Sequence, residues 1–409
     1  MKPIKRVGIC ILCIVWAFTI PAQAKAVFFE EESGETAAEL MAWNSIPAEE
    51  SVQTATGTAL TVGGKSAILI DFTSGKVLFQ KNEHEKLPIA SVTKIMTLLL
   101  VMEALDNGMI SLTDSVTCSA EAASMGGSQI WLEPGEVMSV HDLVKAAAVV
   151  SANDACAALA EHVAGSVEEF VARMNTRAAE LGMNDTHFLD CSGLNDEAYS
   201  CAYDVAVMSR ELMKHPTIKQ YTTIWMDTLR DGQSQLVNTN KLVRFYEGIT
   251  GLKTGTTATA GHNLAATAER NGLALGAVML GCTTTAERFG GARKLLDYGF
   301  ANYTLYTPQV DPLSLKPITV LHGVEESVEI AAQTPAALLV KKGEEKQMSC
   351  IIELAEDVAA PVEKGQVVGT VTVKKGEETV ATYSVSTKNE VKRLHFGIAF
   401  SRLLRTLCR

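Results

Sequence analysis

Beyond Cys10 and Cys13 near its start, the 409-residue chain has no C-x-x-C pair and no finger-type cysteine spacing, and none of its eight histidines lies in an H-E-x-x-H run. Those absences remove the sequence signatures of a zinc finger, a thiol-redox motif and a zinc protease, so neither a metal nor a cofactor is expected. Positive charge is also short: 36 Lys and Arg face 47 Asp and Glu, a net of −11, which argues against general nucleic-acid affinity. No internal repeat is visible. The apolar run near the start, Val7–Ile20, spans fourteen residues, fewer than the roughly 20 that a membrane-crossing helix needs. The other seven cysteines (Cys118, Cys156, Cys191, Cys201, Cys282, Cys350 and Cys408) are odd in number and widely spread. They read as mostly buried thiols rather than a disulfide frame.

What is present is enough apolar material for a real core, 47% of residues against 20% charged, in a chain long enough for two domains. Lys2, Lys5 and Arg6 precede the short apolar run, and Ala22-Gln23-Ala24 follows it as a small-x-small cleavage site. Residues 1–24 thus have the layout of a secretory signal peptide, which predicts an exported protein at the outer face of the cytoplasmic membrane or in the cell wall. An uncleaved anchor is the alternative. Residues 25–61 are rich in glutamate and poor in apolar periodicity, an acidic leader.

From residue 62 the pattern sharpens. Ser66–Phe72 and Lys76–Gln80 read as a hairpin about Thr73-Ser74-Gly75. Val92–Leu105 is apolar, free of Gly and Pro, and long enough for a buried helix. Ser139 with Asp142, and Ser166 with Glu169, form capping boxes that open two further helices. Ala202–Lys214 is another helix, stopped by Pro216. Ile249–Thr256, His262–Glu269 and Leu273–Gly281 are strands, the last two joined by the type I′ signal Asn271-Gly272, and Thr285–Phe300 closes the segment as a helix. Strands at both ends with helices between predict an α+β domain over 62–305, an antiparallel sheet flanked by helices. Residues 308–386 change to short Val/Ile/Thr-rich runs between Gly and charged turns, a small all-β domain. In the tail, 387–409, six basic residues face one Glu, and Phe396, Ala399, Phe400, Leu403, Leu404 and Leu407 follow helical spacing opposite the arginines. Such an amphipathic helix is expected to lie on an anionic membrane surface.

Three short motifs carry chemistry, and each alone has an ordinary structural reading. Ser91-Val92-Thr93-Lys94 opens the long apolar helix. A hydroxyl is a poor nucleophile until a base takes its proton, and residues three apart on a helix share a face, so Lys94 Nζ can reach Ser91 Oγ. A helix N-terminus also suits a developing oxyanion. Yet one or two S-x-x-K sequences arise by chance in a chain of roughly this length. Ser151-Ala152-Asn153 is a polar triplet interrupting an apolar run. It reads either as a cap for the next helix or as a second hydroxyl and an amide in a site. Lys253-Thr254-Gly255 lies in a strand, where a glycine usually marks the close approach of a backbone or ligand.

Ser-x-x-Lys, Ser-x-Asn and Lys-Thr-Gly in this order are the motif set of penicillin-recognising serine enzymes. The chain resembles the low-molecular-mass penicillin-binding proteins, serine-type D-alanyl-D-alanine carboxypeptidases, over about residues 62–305. The resemblance is carried by Pro88–Thr97, Gly126-Gly127-Ser128-Gln129, Ser151–Ala155 and Gly251–Thr256. It is closest to the sporulation-associated members, and the β domain and tail fit the same architecture more loosely. The resemblance implies that Ser91 forms the acyl-enzyme, Lys94 is the general base, and Ser151 passes the proton to leaving D-alanine. Asn153 would steady the peptide and Lys94. Lys253, Thr254, Thr256 and Arg288 would hold the substrate carboxylate, Gly255 belongs to the same substrate-binding strand, and the N–H groups of Ser91 and Thr256 would form the oxyanion hole. It also implies peptidoglycan stem peptides as substrate and β-lactams as acylating inhibitors. At this point the chain reads Asn238-Thr239-Asn240 where some relatives carry a second arginine.

Physical chemistry adds two expectations. Lys94 can act as a base only when neutral, so burial, and the nearby cation Lys253, must depress its pKa well below about 10.4. An acidic chain acting on an anionic substrate must recognise it by local contacts. Three rivals remain. A β-lactamase shares the motifs and needs a deacylating carboxylate, for which Glu180 with Asn184 has the spacing. A transpeptidase and a non-catalytic wall-binding protein are the other two.

Overall fold

The structure, a computed structural model, describes residues 60–407. The expected signal segment 1–24 and nearly all of the acidic leader lie outside the described residues. The first body is built on a five-stranded antiparallel sheet of β1 (Ser66–Asp71), β2 (Val77–Lys81), β3 (Ile249–Thr257), β4 (Gly261–Arg270) and β5 (Leu273–Cys282), in the order β2-β1-β5-β4-β3. The two ends of the segment therefore meet in one sheet, as the pattern predicts, with β1 paired to β5 from Ser66↔Leu280 to Asp71↔Leu275.

Alternation along the strands sorts side chains onto two faces. Ala67 and Leu69 of β1, with Ala277 and Met279 of β5, face α6 (Thr285–Asn302) through Phe289, Ala292, Leu295 and Leu296. Ile68, Ile70, Val278 and Leu280 face the helical half of the domain. That half contains α1 (Lys94–Asp106), α2 (Val140–Val149), α3 (Asn153–Ala164), α4 (Val167–Glu180) and α5 (Ala202–Leu212). α1 is apolar almost all round and correspondingly buried. The N-caps are those expected: the Ser139 hydroxyl accepts the Asp142 N–H, and the Ser166 hydroxyl accepts the Glu169 N–H.

The start of α1 differs from the expectation. The chain passes through a 3₁₀ turn, Ala90–Thr93, and becomes α-helical only at Lys94. In a 3₁₀ turn residues i and i+3 eclipse, so Ser91 and Lys94 are brought into line more closely than on a regular α-helix. Ala90 enters the turn with a left-handed φ of +49°.

Residues beyond α6 form short sheets. Tyr303–Tyr306 pairs with Leu338–Lys341, and Leu305 and Leu339 pack against the core under α6. Four strands, Ile330–Ala332, Met348–Leu354, Val367–Lys375 and Glu378–Thr387, make the main sheet of the second body. Val320, Val328, Val371, Val385 and Val391 fill its core. Pairing continues past residue 386: Val391 bridges Val362 and Arg393 bridges Gly323. The helix of the tail is α7 (Phe396–Leu407), with Phe396, Phe400, Leu403 and Leu407 exposed. No helix among the described residues is long and apolar enough to cross a membrane.

Candidate active site

The Ala90–Thr93 turn packs against β3, the edge strand of the sheet, and Asp154 and Cys156, which follow Ser151-Ala152-Asn153 on α3, act electrostatically on Lys94. An edge strand leaves alternate backbone groups unpaired toward the cleft. The close approach explains Gly255: a Cβ there would stand 2.6 Å from Ile89 O, 2.9 Å from Val92 N and 3.0 Å from Ser91 N. All three are backbone atoms, so no side-chain adjustment could relieve the clash. Gly193, at φ +82°, backs the same turn from the other side, where a Cβ would meet Ala90 O and lie 2.9 Å from Ser91 N.

Lys94 Nζ lies 2.9 Å from Ser91 Oγ and donates to Ser192 O at 2.7 Å. The amine is completely buried. Desolvation pushes its pKa below the usual lysine value, and the opposing carboxylates Asp190 and Asp154 do not reverse that direction. The neighbouring Cys156 thiol is pushed up to about 11 by burial and feels both Lys94 and Lys253. At neutral pH it is therefore uncharged and cannot stabilise an ammonium. Burial, one of the two causes expected from the sequence, is the leading one.

Ser151 occupies the left-handed region at φ +63°, a position that costs an ordinary residue about 1–2 kcal/mol. Among the described residues its buried Oγ has no hydrogen-bond partner, nor has Asn153 Oδ1. Buried polar groups without partners usually await one. The expected Asn153–Lys94 contact is not made; Asn153 Nδ2 donates instead to Gly126 O at 2.7 Å, and its N–H to Ser128 O at 2.7 Å. Thus the Gly126–Gln129 stretch forms a wall of the site. Asp154 anchors that wall from beneath, its carboxylate accepting the N–H groups of Ile130 and Leu132.

On the strand side, buried Lys253 donates to Thr254 O at 3.0 Å, and Thr254 Oγ1 donates to Thr239 Oγ1 at 2.7 Å. Arg288 reaches from α6 across the sheet edge, Nη1 to Thr256 Oγ1 at 2.8 Å and to Gly255 O at 3.4 Å. A lysine and two threonine hydroxyls along one strand, with an arginine reaching in from α6, suit a carboxylate. Sequence reasoning did not find Ser192, Gly193, Asp190 or Thr239. Ser192 acts through a backbone carbonyl, which leaves no mark on residue type.

Glu180, the deacylating carboxylate of the β-lactamase reading, is exposed at the end of α4 and ion-paired to Arg177 at 3.0 Å. Outside the cleft, His84, Asp185 and Cys201 bring three donor atoms within 4.8 Å of one another. Each is already engaged: His84 Nδ1 contacts Asp185 Oδ2 at 3.0 Å, Lys86 lies 3.5 Å from Asp185 Oδ1, and Cys201 Sγ accepts the Asp204 N–H.

A serine hydroxyl held by a buried, depressed amine, beside a cationic edge strand and under a helix-flanked antiparallel sheet, defines a serine acyl-transfer enzyme of the penicillin-binding fold. The chain belongs to the D-alanyl-D-alanine carboxypeptidase family, whose model matches residues 52–284, and residues 306–393 match the C-terminal domain of penicillin-binding protein 5. It is similar to the D-alanyl-D-alanine carboxypeptidase DacF of Bacillus subtilis, 42% identical over 337 residues that cover 81% of this chain and 87% of the relative. In structure it is similar to penicillin binding protein 5 from Haemophilus influenzae, with TM-score 0.70, 31% identity, and coverage of 83% of this chain and 100% of that one. It is also similar to penicillin-binding protein D2 from Listeria monocytogenes in an ampicillin-bound form, with TM-score 0.55, 32% identity, and coverage of 59% and 100%.

Proposed function

We propose that the protein removes the terminal D-alanine from peptidoglycan pentapeptides through an acyl-enzyme on Ser91, and that β-lactams acylate the same hydroxyl. The observation that carries this reading is the 2.9 Å contact between Ser91 Oγ and the buried Lys94 amine. Neutral Lys94 takes the Ser91 proton as Oγ attacks the carbonyl of the penultimate residue. The N–H groups of Ser91 and Thr256 hold the resulting oxyanion. Ser151 delivers a proton to the departing D-alanine nitrogen, and water then hydrolyses the ester. The carboxylate of the substrate sits among Lys253, Thr254, Thr256 and Arg288, and Asn153 holds the peptide backbone with the amide oxygen that has no partner in the ligand-free site.

The reading extends to location and setting. The amino-terminal pattern favours export, and the exposed apolar side of α7, with Arg402 and Arg405 on the same helix, favours attachment to an anionic membrane surface. The resemblance to sporulation-associated carboxypeptidases favours a setting in sporulation. Mass spectrometry of the penicillin-treated protein tests the central step together with D-alanine release from a pentapeptide. The expected adduct is on the peptide containing Ser91, and Ser91→Ala should lose both adduct and release. Labelling retained in that variant would point to another nucleophile.

A further inference from the structure

Ser192 O, which accepts a hydrogen bond from Lys94 Nζ at 2.7 Å, belongs to a loop closed at its base by the His187–Tyr199 backbone pair. The loop has no strand or helix to fix its carbonyls. Its inner turn is wound instead on the Asp190 carboxylate. Oδ1 accepts the Ser192 N–H at 2.6 Å, the Ser192 hydroxyl at 3.1 Å and the Gly193 N–H, while Oδ2 accepts the Asn195 N–H at 2.7 Å. One short acidic side chain thereby sets the orientation of the Ser192, Gly193 and Asn195 peptide groups. The outer end of the loop is tied to the end of β3, where Asp196 accepts the hydroxyls of Thr257 at 2.7 Å and Thr259 at 2.8 Å. The seat of the amine is thus referenced to the strand that carries Lys253 and Thr254.

We propose that Asp190 is a positioning residue for the general base: by winding this turn it aims the Ser192 carbonyl at Lys94 Nζ and fixes the amine against Ser91 Oγ. The proposal rests on the reading of Lys94 as the base. It carries an electrostatic consequence that a merely structural cap lacks. The ionisable groups facing Lys94 are Asp190 and Cys191 from the loop and Asp154 and Cys156 from α3, with Lys253 of β3 acting on the same Cys156. Burial raises both thiols, so they are uncharged at neutral pH and only the two carboxylates oppose the desolvation of the amine. Asp190 therefore limits how far the basicity of Lys94 falls, and a base that is too weak gains little from being neutral.

The test uses the full chain and a chromogenic β-lactam, whose acylation rate is followed across the acid and alkaline range, with thermal unfolding of each variant recorded alongside. Asp190→Asn keeps one oxygen for the Ser192 and Gly193 N–H groups and removes the charge. Asp190→Ser does the same with a shorter acceptor and guards against misfolding of the first. In both, the acid limb of the rate profile should move to lower pH by about one unit, with a plateau reduced about tenfold. Asp190→Ala, left with no acceptor, should lose about a hundredfold through misplacement of the amine. An acid limb in the wild-type position in the Asn and Ser variants, whatever their plateau, overturns the proposal. A wild-type profile without any acid limb would count against Lys94 as base and would take the proposal with it, so the two failures differ visibly.

Discussion

Replacement of Gly255 by alanine is the smallest change that should separate the two halves of the site. The added methyl would stand 2.6 Å from Ile89 O, against at least 3.4 Å for an ordinary contact, with Val92 N and Ser91 N at 2.9 and 3.0 Å. The turn bearing Ser91 and the strand bearing Lys253 must therefore part by about 0.8 Å, because backbone on both sides leaves nothing softer to yield. Overpacking of this kind costs about 1–3 kcal/mol, which a domain with this core can absorb. The catalytic loss is larger in proportion. A displacement near 1 Å between a nucleophile and its substrate-holding groups costs about a hundredfold in rate. We expect Gly255→Ala to fold, to unfold a few degrees lower, and to be acylated by a chromogenic penicillin about a hundredfold more slowly than wild type. Acylation at the wild-type rate in a folded Gly255→Ala protein would mean that the β3 edge does not hold the substrate against Ser91.

Further outcomes follow from individual residues and from the tail. Acylation should fall as pH drops through the lowered pKa of Lys94, because protonation removes the base; and because the unfolded chain keeps that proton up to about 10.5, stability should rise with pH between the two values. Lys94→Met should accordingly abolish acylation yet raise stability at neutral pH by about 1 kcal/mol, read from denaturant melts. Asp154→Ala strips acceptors from the buried N–H groups of Ile130, Leu132 and Ala155, and should cost about 3 kcal/mol of stability. Arg288→Ala should raise KM for a free-carboxylate peptide by about tenfold or more with a smaller change in kcat, and deletion of 396–409 should abolish binding to anionic vesicles while soluble-peptide activity stays unchanged.

Much of the fold was legible because its periodicities are strong. The strands predicted over Ile249–Thr256 and Leu273–Gly281, the Asn271-Gly272 turn and the Ser139 and Ser166 caps all appear where local chemistry dictates them. The motif side chains were legible only as a set, since a serine and a lysine three residues apart arise by chance and their order with Ser-x-Asn and Lys-Thr-Gly is what singled them out. The parts that were not legible share one physical character: they act through backbone. The Ser192 carbonyl under Lys94, the turn that Asp190 winds and the 3₁₀ entry to α1 depend on where peptide groups point. Asn153 shows the same limit from the other side. Its amide was expected on Lys94 but donates to Gly126 O, a partner that only the closed tertiary arrangement supplies. The sheet pairing of Val391 and Arg393 was hidden beneath the basic composition of the tail.

The central claim is that a buried, uncharged Lys94 deprotonates Ser91. It is most directly tested by NMR titration of the protein labelled at lysine side chains, with the Lys94 signal assigned by its loss in Lys94→Met. The account predicts that this one amine titrates well below the ordinary lysine range near 10.5. A Lys94 signal that titrates at the ordinary value, in a protein that still forms the penicillin adduct on Ser91, would contradict it.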